Sequence, residues 1–533
     1  MPVRIETPLS SSDPARDAHR AGAVLAGAIR AAGLLVGAAL ILVATPAGAI
    51  ECTDFPPGNA VNWPDLGAET DIDLTYDSQG MLHAVWLSGS APAASADVYY
   101  ASSLDGGQSF GPNVKVNWSD HTAARMTPSI DLDPAGVIYI AWADERAGWP
   151  DVDIYFSKST DGGQLFLPEV RANSVHENEQ SRPALRVTPG GTVYIGWISH
   201  FNVGQPTVQI TRSVGGLPFE AARQVNGGIV GTSCECCNID IVSIGEQQVF
   251  VAFMANLSYV RDLFVSRSGD GGWTFSDPVQ LNEGHWYVPA CPSSGPRLEV
   301  DGTGDLHAVW MDGHDGGMTD DIYYTRSTDG GITYQPPTRM SEIGDPVFGF
   351  QRLAITPDGV VHAVWERFND VESAVNLDYA QSTDGGQTFS TPCLVAGGAP
   401  VSQSYPALAA APSGALAVAW NDARLGTEDV HVSTAGATAA AGIELAPRVS
   451  WQAAPNPFRD CVWIAPHGRG STAADPPTAC AVFDIGGRHV RAMVASDAGA
   501  RWDGRDDQGR VVAPGTYFIR LPGDRSLRVT KMR

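Results

Sequence analysis

The sequence predicts an all-β protein: a seven-bladed β-propeller followed by a small β-sandwich. Three observations carry that prediction. A unit of about 55 residues recurs down the chain. Its second strand is readable seven times, as LHAVW to Trp86, IYIAW to Trp142, VYIGW to Trp197, VFVAF to Phe253, LHAVW to Trp310, VHAVW to Trp365 and LAVAW to Trp420. An Asp-Gly-Gly turn recurs in copies one, two, four, five and six, at Ser102–Phe110, Ser157–Phe166, Ser266–Phe275, Thr325–Tyr334 and Ala380–Phe389.

The second copy shows the unit whole. In Pro128–Asn173, SIDLD alternates, VIYIAW is β-branched and aromatic, DIYFSKS alternates again, and a short strand follows Phe166. Gly- and Pro-bearing turns separate the strands. One four-stranded sheet cannot bury both faces, but a ring of such blades can. The ring also needs a closure that hides its loose edges. Copy seven lacks a clear fourth strand, whereas Ala60–Trp63 looks like the fourth-strand segment Lys115–Trp118. The N-terminal segment is therefore expected to complete the last blade. Six blades, with one copy misread, is the alternative.

Bulk composition narrows the function. The chain has 533 residues, 43% of them apolar, and a net charge of −25, which argues against nucleic acid or an anionic membrane surface as a partner. Arg16, Arg20 and Arg30 precede the apolar run Ala31–Val43 and the small residues Ala47-Gly48-Ala49. That pattern predicts a cleaved signal peptide over 1–49 and a bacterial-type exported protein, secreted or held at the cell surface. All eight cysteines follow the cut, so disulfides are expected.

The five turns follow Ser-x-Asp-x-Gly-x-(Ser/Thr)-aromatic, with Leu165 and Tyr334 as departures. This resembles the Asp-box, the repeat of bacterial neuraminidases. The resemblance implies a sialidase-like propeller over 50–440 and covers enzymes, receptors and noncatalytic binders alike. The turn itself reads as structural: its Asp accepts backbone N–H groups and its glycines supply positive φ. One carboxylate per turn falls short of a calcium site, and no metal or cofactor is expected.

If the Asp-Gly-Gly turn joins strands three and four, the chemistry is expected on the opposite face, among the blade-to-blade connections and the two–three loops. Those segments carry Arg125, Arg182, Trp286, Tyr287, Arg297 and Arg352, and the pairs Asp144/Arg146 and Asp422/Arg424. Glu366 and Tyr405 lie there too. Arginine forks and aromatic rings suit an acidic sugar. The resemblance implies three arginines on a substrate carboxylate, a Tyr nucleophile paired with a Glu, and an Asp acid/base. The family's N-terminal Arg-Ile-Pro motif is absent, and Ser181–Leu185 echoes it only in copy three. Arg182, Arg297 and Arg352 are the candidate clamp, with the Tyr/Glu pair left open. The Asp–Arg pairs are read first as braces between blades. Two functions follow as expectations: a propeller that binds glycans or a cell-surface protein without catalysis, or an exo-acting sialidase-type hydrolase.

Cys234, Cys236 and Cys237 in CECC, with Cys291 on the next connection, are expected to form two disulfides, a soft-metal site being the alternative. Cys461 and Cys480 are expected to pair, leaving Cys52 with Cys393. Beyond the small-residue linker at 435–441 the chain changes character. Ala454–Phe458, Ala481–Val494 and Arg501–Leu521 resemble the Ig-like domain of the flagellar hook-capping protein and the type IX secretion sorting domain. The resemblance covers 449–533 and implies the outer-membrane secretion machinery as a partner.

Overall fold

The computed structural model describes residues 50–533 apart from 62–67, 90–95, 120–122, 177, 201–205, 217, 228–231, 314–319, 370–372, 396–401, 423, 425–427, 437–449, 455–456, 460, 468–477, 485–488, 496–499 and 522–524. The predicted signal peptide and linker lie outside the described residues. None of the described helices is long and apolar enough to cross a membrane.

Among the described residues the repeat region forms seven antiparallel sheets, six of them with four strands running outward in chain order. The first strands are Ala68–Tyr76, Arg125–Leu132, Gln180–Val187, Asp240–Ile244, Arg297–Val300, Val347–Ile355 and Gln403–Ala410. Each packs against the first strand of the next sheet, and the seventh returns to the first. The second strands supply the core. Trp86, Trp142, Trp197, Phe253, Trp310, Trp365 and Trp420 are all buried, because a second strand has another strand on each side and another sheet on each face. Sheet four carries an extra strand, Thr232–Ser233, immediately before the CECC segment.

The seventh sheet takes its outer strand from the other end of the chain. Asn59 pairs with Val432 and Ala60 with His431, and the N–H of Val61 donates to Val430. Trp63 lies outside the described residues. The segment just before, from Ile50, is tied to sheet six: the Gln381 amide donates to the Ile50 carbonyl at 2.7 Å, and Cys52 is disulfide-bonded to Cys393. Replacing Cys393 with serine is expected to lower stability by about 2–4 kcal/mol, because the bridge closes a loop of most of the chain. Thermal melts of the oxidised variant check this, and an unchanged melting temperature would sink it.

The Asp-Gly-Gly turns join third to fourth strands and act between sheets. Asp161 Oδ1 accepts the Ser159 hydroxyl and the N–H groups of Gln164 and Leu165. Gly163 has φ 85°, and a Cβ there would meet the Tyr100 ring of the preceding sheet at 2.1 Å. The closing aromatic, Phe166, is buried edge-on to that ring at 5.2 Å. Where Thr388 adds a hydroxyl donor, the same bonding holds the Asp384 carboxyl down to about 2. In copy three Val214 replaces the Asp, yet both glycines keep positive φ and Phe219 still packs on Phe156. The glycines make the turn and the Asp secures it. Asp161→Ala should therefore cost on the order of 1 kcal/mol, by analogy with a lost helix cap, and leave ligand affinity untouched. Weaker binding at an unchanged melting temperature would contradict this.

The C-terminal region has two sheets, one of Ser450–Ala454, Val462–His467 and Ala500–Trp502, and one of Thr478–Asp484, His489–Ala495, Gly515–Leu521 and Arg525–Lys531. Phe458, Val462, Ile464, Val482, Trp502, Ile519 and Val529 fill the space between them. This corrects one cysteine expectation. Cys461 is a free thiol, and the strand that follows it and the strand carrying Cys480 belong to different sheets rather than to one ladder. The side chain of Cys480 lies outside the described residues.

Candidate functional site

The sheet ladders identify equivalent positions around the centre. In each sheet one first-strand residue pairs with the residue just before the buried second-strand aromatic. These are Asp73, Ser129, Ala184, Asp240, Arg297, Arg352 and Ala407. Two residues earlier stand Asp71, Thr127, Arg182, Asn238, Gly295, Phe350 and Tyr405. Five of these seven are non-glycine residues in the left-handed region: Asp71 (φ 54°), Thr127 (47°), Arg182 (59°), Phe350 (49°) and Tyr405 (53°). Each lies within a register shift of its ladder. Such a bulge re-aims a side chain, and strain repeated at one position marks a place where geometry matters more than stability.

The bulges deliver side chains to one cavity of about 310 Å³, walled by Asp71, Thr127, Arg182, Asn238, Phe350 and Tyr405 and, one step deeper, by Asp73, Asp240, Arg297 and Arg352. First strands start from the connections, so this ring lies on the face opposite the Asp-Gly-Gly turns. Arg182, Arg297 and Arg352 thus share one wall-lined space.

Their electrostatics set them apart. Among the described residues no carboxylate stands within ion-pairing distance of any of the three. Arg182 Nη1 donates to Asn238 Oδ1 at 3.4 Å, Arg352 Nη1 donates to the carbonyls of Gln351 (3.0 Å) and Phe350 (3.4 Å), and Arg297 Nε is buried with no hydrogen-bond partner. Burial, and then the charge of Arg297, push the Arg352 guanidinium down to about 9. A cation so disfavoured gains strongly from an incoming anion. The nearest acids are spent elsewhere. Asp73 accepts the N–H groups of Leu74 and Ile130, both at 3.0 Å, and Asp240 those of Ile241 (2.9 Å) and Leu298 (2.8 Å), so each stitches its sheet to the next.

Asp71 and Tyr405 complete the mouth, and the buried Glu366 stands behind the Tyr405 main chain. Asp71 Oδ2 accepts the Thr127 N–H at 3.3 Å, and burial raises its carboxyl above the usual range against the pull of Arg182 and Arg352. Tyr405 is 41% exposed, with Phe350 edge-on at 4.9 Å. Glu366 Oε1 accepts the main-chain N–H of Tyr405 at 2.5 Å, and burial pushes this carboxyl up to about 7.

The structure places the remaining candidates outside the cavity wall. Arg125 is buried, bonded to Asp97 of sheet one and Asp144 of sheet two. Arg146 binds the same Asp144 and also Glu169, with its guanidinium stacked 3.6 Å from the Tyr155 ring. Glu169 in turn accepts N–H groups from Trp118 and Ser119. This network braces neighbouring sheets and offers no free charge. Arg424 is paired with Asp422, which also accepts the Trp420 indole N–H. Trp286 is 3% exposed and belongs to the core, whereas Tyr287 is 64% exposed but lies outside the cavity wall. The CECC sulfurs lie within 4.8 Å of one another, but they are engaged as Cys234–Cys237 and Cys236–Cys291.

Sequence reasoning missed Asp71 and did not choose Tyr405 and Glu366. A signal for the first two existed: every residue of the mouth ring stands fifteen residues before its copy's second-strand aromatic, from Asp71 and Trp86 to Tyr405 and Trp420.

No protein-family model matches this chain, and no curated protein does either. Among solved structures it is similar to the Hadza microbial sialidase Hz136, at 16% identity and TM-score 0.44, over 58% of this chain and 66% of that one. It is also similar to a leech intramolecular trans-sialidase, at 11% identity and TM-score 0.41, over 71% and 92%. The α-L-arabinanase of Penicillium chrysogenum matches at 14% identity and TM-score 0.41, over 58% and 92%.

Proposed function

We propose that the chain is an exported seven-bladed propeller, closed by the N-terminal strand at Asn59, that hydrolyses a terminal acidic sugar from a glycan. One observation carries the reading: three arginines that have no carboxylate partner among the described residues face one cavity that also receives Asp71 and Tyr405. Arg182, Arg297 and Arg352 hold the sugar carboxylate. Tyr405 attacks the anomeric carbon, its phenolic proton passing to Glu366, while Asp71 protonates the leaving oxygen. Water then attacks the glycosyl–tyrosine bond, giving its proton to Asp71, and Tyr405 recovers its own from Glu366. The resemblance stated for the C-terminal region supports an Ig-like domain over 449–533 that engages outer-membrane secretion machinery, with a leader over 1–49 removed on export.

A second reading is a binder of acidic glycans without turnover. It is favoured by the hydrogen bond between Tyr405 and Glu366, which runs through the main-chain N–H and not the phenol. Assays with fluorogenic sialosides and uronides, alongside direct binding of the same sugars, separate the two. Turnover that stops in Tyr405→Phe supports the hydrolase. Binding without turnover leaves the binder, and neither binding nor turnover rejects both.

A further inference from the structure

The loop joining the second and third strands of sheet four ends in a turn of unusual composition. Leu257 and Val260 exchange N–H and carbonyl groups at 3.0 Å both ways, and the two residues between them, Ser258 and Tyr259, are left-handed at φ 53° and 71°. Asn-Gly or a similar pair normally fills such a turn, since larger side chains are strained there. The strain gains no burial: Tyr259 is 52% exposed. Beside it stands exposed Tyr287, from the connection between sheets four and five, with ring centroids 6.3 Å apart and planes at 77°.

The two segments are locked together. Val260 bridges Tyr287, the Val288 N–H donates to the Tyr259 carbonyl, and the Arg261 N–H donates to the Trp286 carbonyl. Beneath them the buried Arg261 guanidinium donates to Glu235 at 3.4 Å and to the Ala290 carbonyl at 3.2 Å. Glu235 sits between Cys234 and Cys236, within the disulfide-braced segment. That segment runs directly into Asn238, and the chain beyond Cys291 into Arg297, both in the cavity wall. The brace under the rings is therefore continuous with the strands that shape the cavity.

We infer that Tyr259 and Tyr287 form a stacking platform for a neutral pyranose ring of the glycan whose acidic end enters the cavity, an inference that rests on the function proposed above. Two rings offer far less than the roughly 800 Å² per side that a stable protein partner covers. One tyrosine face matches the C–H face of one sugar, and a rigid aromatic loses little entropy on contact.

The test compares wild type with the Tyr259→Ala/Tyr287→Ala double variant and with Tyr287→Ala alone, in case the double variant fails to fold. The probes are a fluorogenic sialoside, a sialylated lacto-N-neotetraose and neutral lacto-N-neotetraose. Loss of the platform should raise KM for the sialylated oligosaccharide about tenfold while leaving its kcat and the fluorogenic KM unchanged. Saturation-transfer NMR should detect the neutral tetrasaccharide on wild type and on Arg352→Ala, and no longer on either platform variant. A neutral-sugar signal absent from wild type, or retained by the platform variants, overturns the platform. Failure of the cavity reading shows separately, as no turnover of either sialylated probe, no binding of the fluorogenic sialoside and no tighter binding of the sialylated than of the neutral tetrasaccharide by wild type, while the neutral signal still reports on the rings.

Discussion

Arg352→Ala is expected to lower kcat/KM for an acidic glycoside, or its binding constant if there is no turnover, by about 30- to 1,000-fold. That range is the 2–4 kcal/mol typical of removing one partner from a desolvated charge pair. The melting temperature of the free protein should hold or rise, because the guanidinium lies in the cavity with only main-chain carbonyls as hydrogen-bond partners and its charge is disfavoured by burial. Arg352→Lys should fall between, since an ammonium keeps the charge and loses the fork. Arg146→Ala makes the contrast: it breaks the pairing with Asp144 and Glu169 and should lower the melting temperature while leaving affinity alone. Kinetics or calorimetry with thermal melts on all three variants decide the matter. An Arg352→Ala protein that binds as wild type and melts earlier would make Arg352 one more brace.

Tyr405→Phe and Glu366→Gln are expected to stop hydrolysis while sparing binding. Removing the phenol removes the nucleophile and should cost at least about 10³-fold in kcat; losing the base should cost about 10²–10⁴-fold. The pH profile is a sharper check. A carboxyl raised to about 7 is ionised, and able to take the tyrosine proton, only above that pH. Activity should therefore fall as the pH drops below about 7, and Glu366→Gln should lack that limb. Asp71 must be protonated in the first step, and burial raises its pKa, so Asp71→Asn should remove the limb on the alkaline side. Full activity at pH 5 in wild type would exclude Glu366 as the base.

The sequence by itself determined the repeat, the strand order within each unit and the role of the Asp-Gly-Gly turn. Those features are local: alternation, β-branched runs and glycines act over a few residues, and sevenfold recurrence averages out the noise of any one copy. It also pointed to the arginines later found around the cavity, since Arg297 and Arg352 occupy matching places in their copies and Arg182 stands two residues earlier in its own. It could not separate them from Arg125, Arg146 and Arg424, which have the same side chain on neighbouring stretches. That division depends on where the carboxylates settle: Asp144 and Asp422 stand two residues from Arg146 and Arg424, whereas Asp97 and Asp144 reach Arg125, and Glu169 reaches Arg146, only after the strands pack. Asp71 was hidden for a related reason. In the copy-one stretch TDIDL it looks like any alternating strand residue, and only the left-handed bulge turns it into the cavity. The Cys461 expectation failed at the same level, because adjacency along the chain does not say which of two sheets a strand joins. Tertiary structure decided that Arg125 is cancelled while Arg182, Arg297 and Arg352 stay open, because Arg125 meets Asp97 from 28 positions away, and the repeat pattern is silent on that distance.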